Sequence, residues 1–361
     1  MRHSIGSRPP AAKLDPPTAR VPQGAGVDSM TITPLRIVVM GTGPFAVPMF
    51  ESLLRSPHAI VAVVTRPAHA PPGRRPPRNP MRDAAAAAGI GILDPERVNE
   101  PTVVASLAAL RPDLFVVCDY GQILSPDLLT VPPFGGINLH GSLLPRHRGA
   151  APVQWAIREG DALSGVSVIH MTPALDAGNV IVVRVTPVGP RETAAELEPR
   201  LAALGAGAVI EGVERLQAAV AATGSVAGVG LPQATTQATR APRLTKADGI
   251  VDWAVPAVRI ERLRRALDPW PRLTTVFTRG DGQTQRLVLE DLVVVPQAER
   301  SSLPVAAAPG TVLDTEGGRI VVACGEGTAI AIMRLVPEGR RSMSAAEFLR
   351  GSPLMPGTRL G

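Results

Sequence analysis

The segment GGINLHGSLLPRHRGAAP, Gly135 to Pro152, sets an asparagine and a histidine two residues apart in an otherwise apolar, glycine-marked run. Side chains of an extended strand return to one face every second residue. Asn138 and His140 therefore point the same way, while Ile137 and Leu139 face the opposite side. At the carboxyl end of a strand in an open parallel sheet, where ligands bind, such a pair suits chemistry. The amide donates to a developing oxyanion and the imidazole moves a proton. Asp176, in the later turn TPALDAGNVI, holds the imidazole or favours its cation. The same three residues also fit a plainer description, a hydrogen-bonded structural Asn and His and an aspartate capping a glycine turn. No Ser or Cys nucleophile accompanies them, so a catalytic set of this kind implies direct acyl transfer onto an amine rather than a covalent enzyme intermediate. Of the other histidines, His170 reads as a strand residue and His147 as a loop residue between two arginines, while His58 and His69 have no polar company. No Cys/His spacing resembles a zinc site, and no metal is expected.

A second candidate is GTGPFA, Gly41 to Ala46, which satisfies the loose pattern G-x-G-x-x-G/A between a strand and a helix. One reading is a backbone that approaches a phosphate at a helix N-terminus. The other is a tight strand-to-helix turn that needs only small residues. The acidic ribose ligand expected about 20 residues on is missing, because the second strand ends in Thr65-Arg66. Arg66 suits a 2′-phosphate, which keeps an NADP-dependent enzyme open.

The elements that position these residues follow from hydrophobic pattern. From Leu35 to about Ala221, short β-branched runs alternate with helical segments, the pattern of a mostly parallel, Rossmann-like α/β sheet flanked by helices. LRIVVMG, AIVAVVT and DLFVVCDYG read as strands, VSVIHM and VIVVRVTP as an antiparallel pair, and residues 192–220 as a long helical region broken near Gly205. Residues 222–243, low in apolar periodicity, read as a linker. Residues 244–361 hold short strands with Gly and Asp turns, a small antiparallel β-barrel. Residues 1–34, rich in Pro, Gly, Ser and Arg, read as a disordered extension, or as sequence upstream of a start near Met30. No run of 18 uncharged apolar residues occurs, so no membrane span is expected. Cys118 and Cys324 lie far apart in sequence, which argues against a disulfide framework and fits the cytoplasm. The isoelectric point near 10.4 invites a nucleic-acid reading. The net charge is only +6, however, and the only lysines are Lys13 and Lys246. Arginine, with its very high pKa, raises the isoelectric point without a large excess of cations.

At these residues the sequence resembles the folate-dependent formyltransferases, and among them the methionyl-tRNA formyltransferase family. RIVVMGTGPFAVP, YGQIL, GGINLHGSLLPRHRGAAPVQWAI, LDAGNVI, APRLTKADGIVDW, RALDPWPR and MSAAEFL recur in the family's order from Arg36 to the C-terminus. The resemblance implies a second, OB-like barrel domain that contacts tRNA. It implies catalysis by Asn138, His140 and Asp176, and a 10-formyltetrahydrofolate site lined by Ser142, Leu143, Leu144 and Pro145. It makes GTGPFA a structural relic of the fold. It assigns tRNA contact to the arginine-bearing loop after the second strand, at Arg74 and Arg75. The chain departs from the family at Ala68, usually aspartate, at Arg75, usually glycine, at Asp119, usually alanine, and at His147, usually aromatic. The implied reaction is formyl transfer from 10-formyltetrahydrofolate to the α-amino group of methionyl-initiator tRNA, by a cytoplasmic monomer. The shared folate-dependent core leaves a sugar-nucleotide formyltransferase as the alternative.

Overall fold

The run RIVVM forms a strand, Arg36–Met40 (β1), whose last four residues are fully buried, as a central parallel strand covered on both faces requires. A computed structural model describes residues 33–68, 78–279, 282–304 and 307–361. After β1 come Val47–Leu54 (α1), Ala59–Val64 (β2), Pro80–Ala87 (α2), Ile92–Leu93 (β3), Pro101–Ala109 (α3), Leu114–Val117 (β4), Pro126–Leu129 (α4) and Gly136–His140 (β5). Arg148–Gly149 (β6), Pro152–Glu159 (α5), Leu163–His170 (β7), Val180–Pro187 (β8) and Ala194–Thr223 (α6) complete the first part. Several of these helices carry proline at their first or second position, where a missing N–H breaks no intrahelical bond.

The sheet runs β3-β2-β1-β4-β5-β7-β8, parallel from β3 to β5 and antiparallel thereafter. The expected antiparallel pair is β7 and β8. The parallel register sets Val117 beside Asn138, so the carboxyl ends of β4 and β5 form one edge.

The break expected near Gly205 is absent. α6 runs unbroken for 30 residues from a capping box in which Thr193 and Glu196 satisfy each other's backbone N–H groups. Gly205 serves packing instead: a Cβ there would stand 2.6 Å from Leu139 Cδ2, on the apolar face of β5. Overpacking of that kind costs about 1–3 kcal/mol, so a glycine that lowers helix propensity is retained to let α6 lie against β5.

Residues 222–243 are also more than a linker. α6 extends to Thr223, Leu231 bridges Val180 of β8, and Arg240–Ala241 (β9) pairs in parallel with β6. The rest of the chain forms Ala257–Ala266 (α7), Thr274–Thr278 (β10), Thr284–Val294 (β11), Gln297–Arg300 (α8), Val312–Asp314 (β12), Ile320–Ala323 (β13), Ala329–Pro337 (β14), Met343–Ser344 (β15) and Ala345–Gly351 (α9). Its sheet is antiparallel, in the order β10-β11-β14-β13-β12, with β15 beside β14. The last residues close it. Arg359 bridges Thr311 next to β12, Leu360 bridges Phe277 of β10, and Gly361 N–H donates to Val276 O at 2.8 Å. Closure of this kind removes exposed sheet edges. Residues 34–361 form one compact unit, with α7 packed on α5. Most of the proposed N-terminal extension and the arginine pair Arg74 and Arg75 lie outside the described residues.

Candidate active site

A cavity of about 650 Å³ opens at the carboxyl ends of β4 and β5. Asn138, His140 and Asp176 all lie on its wall, although His140 and Asp176 are 36 positions apart in sequence. Strand geometry places the first two: Ile137 and Leu139 point into the core against α6, leaving Asn138 and His140 on the cavity face. The turn after β7 brings the third. Asp176 sits in the left-handed region at φ 51°, and Gly178 follows where a Cβ would fall 1.8 Å from His170 O. Gln233, from the supposed linker, donates to the carbonyls of Asp176 and Gly178, both at 2.8 Å, and fixes the turn.

Within the trio, Asp176 Oδ2 accepts from Gly149 N–H at 2.8 Å and stands 3.8 Å from His140 Nδ1. Asn138 Nδ2 donates to Asp176 Oδ1 at 3.5 Å, a long contact that leaves the amide available to another acceptor. His140 is 5% exposed and its Nε2 lies 2.9 Å from the carbonyl oxygen of His147. A nearly buried imidazole with a carboxylate at one nitrogen and a carbonyl at the other suits proton transfer in a fixed orientation.

Ser142, Leu143, Leu144 and Pro145 are not among the residues that line this cavity. They form a turn beside it, with a cis peptide before Pro145. Ser142 Oγ donates to Arg146 O at 2.6 Å, and Ser167 Oγ on β7 both accepts from Leu144 N–H and donates to Ser142 O. Ser142 is 1% exposed because its hydroxyl is used to close the turn. These four residues therefore stand beside this cavity.

The glycine loop approaches a carboxylate of its own chain. A Cβ on Gly43 would fall 1.8 Å from Asp119 Oδ2, and Gly43 N–H donates to the Asp119 carboxylate. The helix that follows is a single turn, Pro44–Ala46, and Pro44 contributes no N–H. The anion-binding position that a dinucleotide phosphate needs is therefore taken by Asp119, which disfavours the NADP reading.

Further cavity residues escaped sequence reasoning: Phe45, Asp119, Tyr120, Glu198 on α6 and Arg243. Asp119 and Tyr120 end the DLFVVC run, and the strand-edge rule that singled out Asn138 applies equally to them. Glu198 and Arg243 carry no local signal. Asp119 is open to solvent through the cavity yet stands in a concave wall, at φ 48°. Burial pushes its carboxyl up to about 6 from 3.8, against the Gly43 N–H bond and the Arg243 charge, which both lower it. Glu198 is also raised, by burial and then by the charge of Asp119. An acid whose folded pKa is raised is harder to ionise in the native state, so its contribution to stability is lost as pH rises from about 4 to about 6. Asp119→Asn is expected to flatten that part of the stability curve, read as Tm against pH. An unchanged fall in Tm over that range in the variant would contradict the assignment.

His170 donates to or accepts from nothing on the trio; its Nε2 lies 3.1 Å from Val229 O, and burial lowers its pKa. His58 accepts from Leu35 N–H at 3.2 Å, a structural role. Among the described residues, no group of three His, Cys, Asp or Glu side chains is placed to hold a metal ion.

The class defined by this fold is the formyl transferases. The family model described as formyl transferase matches residues 35–213, and that of the formyl transferase C-terminal domain matches residues 243–353. The chain is 41% identical over 335 residues to the methionyl-tRNA formyltransferase of Rhodopirellula baltica, covering 90% of this chain and 96% of that protein. It is 40% identical to that of Roseiflexus castenholzii, covering 91% and 99%. The chain belongs to the methionyl-tRNA formyltransferase family. In fold it is similar to the sugar 3N-formyl transferase WlaRD, with a TM-score of 0.55 at 15% identity over 85% of this chain and 99% of that one. It is similar likewise to HypX from Aquifex aeolicus in complex with tetrahydrofolic acid, with a TM-score of 0.54 at 15% identity over 88% of this chain and 47% of that one.

Proposed function

We propose that this chain transfers the formyl group of 10-formyltetrahydrofolate to the α-amino group of methionyl-initiator tRNA. The observation that carries the chemistry is the convergence of Asn138, His140 and Asp176 on one cavity, with the sequence-distant Asp176 carboxylate 3.5 Å from the Asn138 amide and 3.8 Å from the His140 imidazole. A cavity of about 650 Å³ falls within the usual range of small-molecule sites. Its wall combines this polar group with the exposed apolar side chains Ile123 and Leu175, which suits a donor that has both a polar ring system and an aromatic stem.

The donor supplies the formyl carbon, which the methionyl amine attacks. Asn138 Nδ2 donates to the formyl oxygen as negative charge collects there. His140 takes the proton that the amine loses and returns it to the departing folate nitrogen, so the C–N bond to methionine forms as the C–N10 bond breaks. Asp176 stabilises the imidazolium in between. Ser142 to Pro145 act on the site by holding the turn that follows β5.

The acceptor is chosen elsewhere. Arg74 and Arg75 and the closed antiparallel sheet after α7 are the parts we assign to tRNA, with the reaction running in the cytoplasm as a monomer. Phosphate contacts supply much of nucleic-acid affinity and make it salt-dependent. Arg74→Ala is expected to raise the KM for tRNA and to reduce the slope of log KM against log salt by about one, with the donor KM unchanged. A slope equal to that of the unaltered protein would remove Arg74 from the interface. The function itself is tested by offering the purified protein 10-formyltetrahydrofolate with charged initiator tRNA, uncharged tRNA or an amino-sugar nucleotide. Formylation of charged tRNA alone is the expected result; formylation of the amino sugar instead would overturn the acceptor assignment.

A further inference from the structure

We infer that His147 is a positioning residue for His140, acting with Asp161 and Thr239 to decide which imidazole nitrogen takes the proton. A carbonyl only accepts, so the His147 carbonyl, 2.9 Å from His140 Nε2, places the imidazole hydrogen on that nitrogen. Neutral imidazole has one N–H, which leaves the lone pair on Nδ1, the atom that faces Asp176 Oδ2 at 3.8 Å. The position of one backbone carbonyl thus selects Nδ1 as the proton-accepting atom and sets it where the Asp176 charge favours the cation.

That carbonyl belongs to no β-ladder, and its residue is held in the left-handed region at φ 60°. Two sequence-distant anchors, Asp161 and Thr239, hold it. The His147 Nε2 lies 2.7 Å from Asp161 Oδ2, and Arg146 Nη2 donates to the other oxygen of the same carboxylate at 2.5 Å. The His147 N–H donates to Thr239 Oγ1 at 2.9 Å. Two residues on, Gly149 bonds Asp176 and pairs with Ala241 of β9. His147 is 3% exposed, and its Nδ1 has no hydrogen-bond partner among the described residues, so Asp161 is the side chain's single polar contact there. A buried histidine in a strained loop conformation, tied to one carboxylate, with its own carbonyl on a catalytic imidazole, is explained by orientation of that imidazole.

This inference rests on the reading that His140 moves the proton, and the experiment separates the two. His147→Ala, Asp161→Asn and Thr239→Val are compared for kcat, for both KM values, and for the ¹⁵N–¹H correlation pattern of the His140 ring in its neutral form. Each variant is expected to lose roughly tenfold in kcat, because small misplacements of a catalytic group cost up to about 10²-fold. Both KM values are expected to stay within about twofold, while the ring changes from a single Nε2–H tautomer to a mixture. His147→Gln, whose amide nitrogen can donate to Asp161, is expected to recover much of kcat and the single tautomer. Thr239 is exposed, so Thr239→Val tests the anchor even if the buried variants do not fold. Folded variants with unchanged kcat, or with reduced kcat and an unaltered Nε2–H tautomer, would overturn the inference. His140→Ala is the control: normal turnover there removes the role of His140 itself, whereas an inactive His140→Ala beside normal anchor variants removes only the role of His147.

Discussion

Asp176→Asn is expected to lower turnover by about 10²–10³-fold with both KM values nearly unchanged. In serine proteases the loss is about 10⁴-fold when the carboxylate hydrogen-bonded to the catalytic histidine becomes an amide. Here the carboxylate stands 3.8 Å from His140 Nδ1 rather than at hydrogen-bond distance, so the smaller loss is expected. The substitution preserves size and cannot preserve function in either orientation. With the amide oxygen kept on Gly149 N–H, the new NH₂ group faces Asn138 Nδ2, and two donors meet. With the amide turned over, the NH₂ group opposes Gly149 N–H and loosens β6. In both cases the negative charge that favours the imidazolium is gone. The test is the single-turnover rate at saturating donor and charged tRNA. A rate equal to that of the unaltered protein would mean that Asp176 only caps its turn, the plainer reading that its Asp-Ala-Gly context also allows.

How far the sequence carried this site is seen residue by residue. Period-two alternation in GINLH was enough to put Asn138 and His140 on one face, because a strand paired on both edges and largely buried leaves its side chains little choice. Gly205 shows where local reasoning fails: the helix propensity of glycine argues for a break, while the contact with Leu139 that keeps glycine there is a tertiary fact. Residues 222–243 read as a linker because their composition lacks periodicity, yet Gln233, Thr239 and Ala241 hold the loops that carry Asp176 and His147 through amide, hydroxyl and backbone bonds that leave no pattern in sequence. SLLP was placed on the cavity by resemblance; the hydroxyl of Ser142 turns out to be spent on Arg146 O inside the turn. Asp119 was visible as a departure from the family, but its contact with Gly43 depends on β1 and β4 being neighbours in the sheet.

Asn138→Ala is expected to reduce turnover by roughly 10²–10³-fold, the usual consequence of losing one oxyanion donor, about 2.7–4 kcal/mol. β5 is fixed between β4 and β7, with Asn138 in register with Val117 on one side and Ile169 on the other, so the amide is presented by rigid backbone. Its one side-chain hydrogen bond among the described residues, to Asp176 Oδ1, is long at 3.5 Å, and exchanging it for a shorter bond to the developing oxyanion would be favourable. Truncation to alanine leaves Ile137 and Leu139 in the core, so the fold is expected to survive and the loss to appear in kcat. Asn138→Asp sharpens the test, because it keeps the shape, removes the donor and adds a negative charge beside Asp176. The aspartate variant is expected to be slower than the alanine variant, since it repels the developing oxyanion as well as failing to bind it. If both variants keep the turnover of the unaltered protein, or if aspartate outperforms alanine, the oxyanion lies elsewhere and the Asn138 amide is structural.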